Sequence, residues 1–289
     1  MRRSTTFAGT DLSFSRSVLG TALLVELVAA AAVIWSAAPP AHSPPVAQSA
    51  QAVVNMSPTV SVPQPVTSVV LPDGRTAQLL GLGGERTAKL LGRLDTELGT
   101  AVAVVTAFWG ADWPHDIVIV VAGSDDEFRV LAGGAADIAA TTTAQRIMFA
   151  PEAANMSPSA LRIVLRHELF HYAARARTAA DAPRWLTEGV ADYVGRPAEA
   201  LPGPARAAEL AKLPTDAELD SIGADRSLAY DRAWWFSRYV ADRYGPDALR
   251  ELYLRACGFG HPDVAAAVRE VLGSDLTEVV AGWRRWLSR

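Results

Sequence analysis

The sequence predicts an α+β fold: a small mixed sheet packed on a helix at residues 161–174, followed by a helical C-terminal portion. Three observations carry this reading. Residues 117–121 are an uninterrupted β-branched run, which reads as a buried strand. Residues 161–174, LRIVLRHELFHYAA, place Leu161, Val164, Leu165, Leu169 and Phe170 at helical spacing behind a start signal of Ser157 and Pro158. From residue 227 onward the chain carries helical patterns to its end, punctuated by Gly258, Gly273 and Ser274.

A chain of 289 residues, 50% hydrophobic and 20% charged, can bury a substantial core. A net charge of -4 argues against a nucleic-acid partner. One cysteine, Cys257, forbids an intrachain disulfide and reads as a small core residue at a helix end.

The N-terminal region divides by composition into 1–17, 18–35 and 36–67. Arg2, Arg3 and Arg16 precede residues 18–35, which are apolar apart from Thr21, Glu26 and one glycine. This reads as a single membrane span, with 1–17 in the cytoplasm because no Lys or Arg occurs between Trp35 and Arg75. Pro39 and Pro40 make a poor setting for cleavage after Ser36, Ala37 and Ala38, so an uncleaved anchor is favoured over a secreted product. Residues 36–67, rich in Pro, Ala and Ser and without charge, read as a semi-extended tether.

The folded domain is expected over 68–289. Residues 69–71 and 77–80 form a hairpin around Pro72-Asp73-Gly74, and 85–108 carry a long helical pattern. Residues 125–131 read as a short helix capped by Ser124, and 139–143 and 146–150 as extended segments. Residues 201–214, broken by Pro202, Gly203, Pro204 and Pro214, read as loop. Helices are expected at 227–244, 247–256, 263–272 and 275–287. His42, His115 and His261 stand alone and read as surface or loop residues.

The chemistry concentrates in HELFH. Positions four apart on a helix lie one turn above each other, so His167 and His171 project from one face as a two-ligand clamp for zinc. Glu168 beside them is placed to take a proton from water whose pKa a metal has lowered. A catalytic zinc needs a third protein ligand, and Asp181 and Glu188 both follow within reach. Asp181 and Pro183 mark a helix start, where Asp181 is better used as the N-cap; Glu188 then lies inside the helix as the ligand. Asp192, one turn further, suits acceptance of the free ring N–H of a ligand histidine.

HELFH followed by PRWLTEGVADY resembles the gluzincin metallopeptidases, especially the small peptidase-MA-like (minigluzincin-like) proteins, over residues 117–245. The resemblance implies a zincin-like fold, a zinc held by His167, His171 and Glu188, and Glu168 as general base. The metzincin pattern is absent, since Arg177 and Ala174 stand where its third histidine and its glycine would fall. The stretch LAYDRAWWFSRYVADRYG resembles the family's segment after the ligands, which implies Tyr230 as donor to the oxyanion, although an aromatic stripe is by itself core material. In such enzymes the segment before the active helix is an edge strand that binds extended peptide, although 139–143 and 146–150 also fit plain sheet. The expected function is membrane-anchored, zinc-dependent peptide hydrolysis on the cell exterior. Two alternatives stand beside it: a structural or inactive zinc module, and a zinc hydrolase acting on a non-peptide amide of the envelope.

Overall fold

The computed structural model describes residues 66–133 and 138–289. The expected cytoplasmic segment, anchor and nearly all of the tether lie outside the described residues. Among the described residues no helix is long and apolar enough to cross a membrane.

The architecture is α+β, with a five-stranded mixed sheet among the described residues and a helical C-terminal region. Strands β1 (Thr67–Val70) and β2 (Thr76–Gly81) pair antiparallel. The turn between them closes through Gly74 N–H donating to Leu71 O at 3.0 Å, with Gly74 at φ +86°, a conformation that suits glycine. Helix α1 (Glu85–Trp109) crosses over to β3 (Asp116–Val121), which runs parallel to β2. Helix α2 (Asp125–Ala132) follows, its first turn capped by Ser124 Oγ accepting from Glu127 N–H. Strands β4 (Ala140–Thr142) and β5 (Ile147–Phe149) pair antiparallel, and β5 runs parallel to β3. The order β1-β2-β3-β5-β4 leaves β4 at one edge.

The period of two along β3 sorts its side chains between two cores. Ile117, Ile119 and Val121 join Leu90, Leu94 and Leu98 of α1 in the main core. Val120 instead packs with Phe128 of α2 and Met148 of β5 on the other face. Full burial of each such side chain stabilises by about 1.5–3 kcal/mol relative to exposure.

Helix α3 (Pro158–Ala174) lies against the main core. Ser157 Oγ accepts from Ala160 N–H at 3.2 Å, and Pro158 occupies the first turn, where its missing N–H costs nothing. Phe170 of α3 meets Trp109 edge-on, with ring centroids 5.6 Å apart. Helix α4 is Arg184–Gly195. Helices α5 (Pro204–Leu210), α6 (Asp216–Leu219), α7 (Gly223–Tyr244), α8 (Pro246–Cys257), α9 (Val264–Leu272) and α10 (Leu276–Leu287) complete the chain.

Three expectations are corrected. Residues 201–214 are not all loop, because Pro204 opens α5 at a position that needs no N–H. Helix α7 begins at Gly223, ahead of the expected 227. Asp181 is not the cap of α4: Pro183 holds that position at φ -61°, and the exposed Asp181 carboxylate lies 3.5 Å from His261 Nε2. Proline fixes the entry to the helix by its own ring, two residues closer than Asp181 can reach.

Candidate metal centre

Helices α3, α4 and α7 build the site, and small residues set their spacing. A Cβ added at Gly189 of α4 would lie 2.5 Å from Ala233 O of α7, and one at Gly195 would lie 3.0 Å from Ile163 O of α3. Only glycine at 189 therefore lets α4 settle this closely against α7. Close approach carries Glu188 down to the two imidazoles.

His167 and His171 face the same way, one turn apart, with their Nε2 atoms 3.1 Å from each other. Glu188 completes the triangle: Oε2 lies 3.3 Å from His167 Nε2 and Oε1 lies 3.6 Å from His171 Nε2. All three side chains are buried, and the group could hold a metal ion. Donors at about 2.0–2.2 Å from a tetrahedral zinc stand roughly 3.4 Å apart, and one ligand atom from each of the three residues lies within 4.8 Å of the others, close enough for a single ion to gather them. Glu188 Oε2 is buried without a hydrogen-bond partner, as an oxygen reserved for a cation would be. Two imidazoles and one carboxylate are a donor set that suits zinc.

Behind the triangle a second row of contacts fixes the ring of His167. Its Nδ1 lies 2.9 Å from Asp192 Oδ1, so with Nδ1–H donating to that carboxylate, Nε2 turns its lone pair toward the site. Asp192 Oδ2 lies 2.7 Å from Arg196 Nη2, and Arg196 Nη1 donates to Asp231 Oδ1 at 2.9 Å. This chain of charges is buried as far as Arg196.

Glu168 occupies a different position from Glu188. Its Oε2 accepts from Thr142 Oγ1 of β4 at 2.7 Å, while Oε1 is buried with no partner. One carboxylate oxygen is anchored and the other left with free lone pairs.

Charge is distributed accordingly. Burial lowers the proton affinity of His167, but its hydrogen bond to Asp192 and the negative charges of Asp192 and Glu188 beside it outweigh burial and hold the imidazole up at about 10. Burial pushes Glu188 up, and the neighbouring His171 and His167 outweigh that and hold it down at about 2. Glu168 is raised by burial, against the pull of the two imidazoles and the Thr142 hydroxyl. A carboxyl raised this way is a stronger base than an ordinary one.

Tyr230 of α7 is 1% exposed and lies within electrostatic range of Glu188 and Asp192. Burial and those two carboxylates push its phenol well above the usual range, so it keeps its proton at neutral pH. Every residue singled out from the sequence as a site member thus converges on one region, while Asp181 does not. Thr142 and Arg196 are the contributors that sequence reasoning did not name. The first lay within a segment read as extended, and nothing in its spacing links it to Glu168.

No family model matches the chain, and no curated protein matches it. Among solved structures, it is similar to a mutant of a two-domain M1 zinc metallopeptidase bound to L-arginine, at 18% identity and a TM-score of 0.44, over 77% of this chain and 50% of that one. It is also similar to a mutant M1 zinc metallopeptidase from Deinococcus radiodurans, at 17% identity and a TM-score of 0.44, over 76% of this chain and 50% of that one. The chain spans half the length of each.

Proposed function

We propose that the chain is a gluzincin-type zinc peptidase of the minigluzincin-like kind, with His167, His171 and Glu188 as metal ligands and Glu168 as general base. The observation that carries this reading is the buried triangle of ligand atoms, with Glu168 Oε1 unpartnered beside it. Zinc bound there supplies a Lewis acid for the scissile carbonyl and lowers the pKa of water towards neutrality.

The residues of the chain do the rest. The edge strand β4 accepts an extended peptide through main-chain hydrogen bonds. Glu168, held at Oε2 by Thr142, takes the water proton through Oε1 and returns it to the departing amine. Tyr230 donates its phenolic hydrogen to the oxyanion that develops on the carbonyl oxygen. Asp192 keeps the proton of His167 on Nδ1, which leaves Nε2 free as a ligand.

Residues 18–35 anchor this domain at the outer face of a membrane, a reading supported by the arginines ahead of them. Protease added to intact cells should then degrade the domain, and protection until lysis would overturn the topology. Hydrolysis of a peptide library by the purified full chain tests the activity. Cleavage lost on chelation and restored by zinc is the expected result; a zinc-loaded chain that cleaves no peptide would contradict it.

A further inference from the structure

Arg196 closes the end of α4, its backbone N–H donating to Asp192 O at 2.8 Å. The missing side chain of Gly195 lets this end of the helix press against α3, where an added Cβ would lie 3.5 Å from His167 Cβ. The Arg196 side chain is only 5% exposed. Helix capping does not require that, since an arginine at a helix end ordinarily keeps its guanidinium in water and burial of the charge is costly.

Two carboxylates account for its position. Nη2 lies 2.7 Å from Asp192 Oδ2, and Nη1 lies 2.9 Å from Asp231 Oδ1 of α7. Trp234 packs on the guanidinium, its ring centroid 5.1 Å from Cζ. Asp231 keeps the group from swinging out to water, and Arg206 of α5 stands 3.8 Å from its other oxygen. Asp192 is 1% exposed, and its two oxygens face different partners. Oδ1 meets His167 Nδ1 at 2.9 Å, whereas Oδ2 has no hydrogen-bond partner and is matched by the charge of Arg196 alone among the described residues. With zinc on Nε2 the imidazole is neutral, which leaves Arg196 as the cationic side chain paired with this carboxylate. Removing one partner of a buried ion pair leaves the other uncompensated, and a carboxylate so left turns toward water. Asp192 cannot turn without releasing the ring of His167.

We propose that Arg196 is a positioning residue of the metal centre: its charge holds the Asp192 carboxylate in the orientation that aims Nε2 of His167 at zinc. This role rests on the metal site of His167, His171 and Glu188, and it adds a residue two contacts behind a ligand. The sign of the effect distinguishes it from a direct one. A guanidinium repels a zinc ion, so removal of the charge by itself favours metal; a loss of affinity therefore reports action through Asp192.

Zinc affinity of the full chain, measured by competition against an indicator, tests the role in four forms: unaltered, Arg196→Met, Asp192→Asn and the two together. Arg196→Met alone should weaken zinc binding at least about tenfold, the lower end for residues that support a ligand. In the Asp192→Asn background the same change should alter affinity by less than about twofold, because the intermediary is already gone. Any cost at Asp231 or at the helix end is common to both backgrounds and cancels. A smaller loss or a gain in Arg196→Met, or a comparable loss in both backgrounds, would overturn the role and leave the metal site standing; an unaltered chain that binds no zinc would overturn the metal site itself. Should Arg196→Met fail to fold, Arg196→Gln, neutral and still able to donate, enters the same comparison with the same thresholds.

Discussion

Nδ1 of His167 lies 2.9 Å from Oδ1 of Asp192, joining α3 to α4 through the back of the imidazole that faces the metal site. The carboxylate fixes both the tautomer and the orientation of the ring. Asp192→Ala should lower zinc affinity by about 10–100-fold without emptying the site at saturating metal. Competition against a zinc indicator measures it. An unchanged affinity would show that the ring needs no such support.

Glu188 and Asp181 separate cleanly in space. Glu188 Oε2 stands 3.3 Å from His167 Nε2, whereas Asp181 is exposed beside His261. Glu188→Ala should therefore cost most of the bound zinc, and Asp181→Ala should leave metal content unaltered and stability within about 0.5 kcal/mol, the usual effect at an exposed position. Metal analysis of the purified variants gives the answer; an empty Asp181→Ala with a loaded Glu188→Ala would reassign the third ligand.

Gly189 is a packing requirement with consequences for the site. A methyl group there would meet the carbonyl oxygen of Ala233 at 2.5 Å, and backbone cannot swing aside as a side chain can. Gly189→Ala should destabilise by about 1–3 kcal/mol and shift Glu188 away from the imidazoles. Thermal melting and zinc titration should fall together. Full stability in this variant would mean that α4 and α7 separate freely.

The metal-free chain should show a distinctive dependence on pH. His167 is held at about 10 against an ordinary 6.5, so its contribution to stability is complete below 6.5 and lost as pH rises through 10. Glu188, held at about 2 against 4.5, contributes above 4.5 and loses that contribution as pH falls through 2. Glu168 is raised from 4.5 by burial, so its contribution is complete below 4.5 and lost as pH rises above it. Melting of the chelated chain should thus fall steadily between pH 6.5 and 10, a fall that zinc abolishes by replacing the proton on His167. A flat profile over that window in the chelated chain would contradict the arrangement of charges.

Much of this was legible in the sequence because it is local. The spacing of His167 and His171, the cap at Ser157, the turn at Asp73-Gly74 and the one-turn step from Glu188 to Asp192 are short-range patterns with fixed geometry. What escaped depends on contacts between distant parts of the chain. Thr142 reaches Glu168 only because β4 lies at the sheet edge beside α3, and Arg196 finds Asp231 only because α4 packs on α7. The cap of α4 differs from its expectation for a local reason: Asp181 and Pro183 are both start signals, and the proline prevails. Likewise Pro204 carries the signal of a breaker, although a proline in the first turn begins a helix as readily as it ends one.

The central claim is that Glu168 moves the proton and does not hold the metal, and Glu168→Gln tests it most directly. The amide keeps the size of the side chain and can still meet Thr142, but it cannot act as a base. Zinc content and peptide turnover should be measured on the same preparation of the full chain. Zinc near one per chain with turnover lowered by at least about 10²–10⁴-fold is the predicted result. Turnover close to that of the unaltered chain, or loss of zinc together with activity, would contradict it.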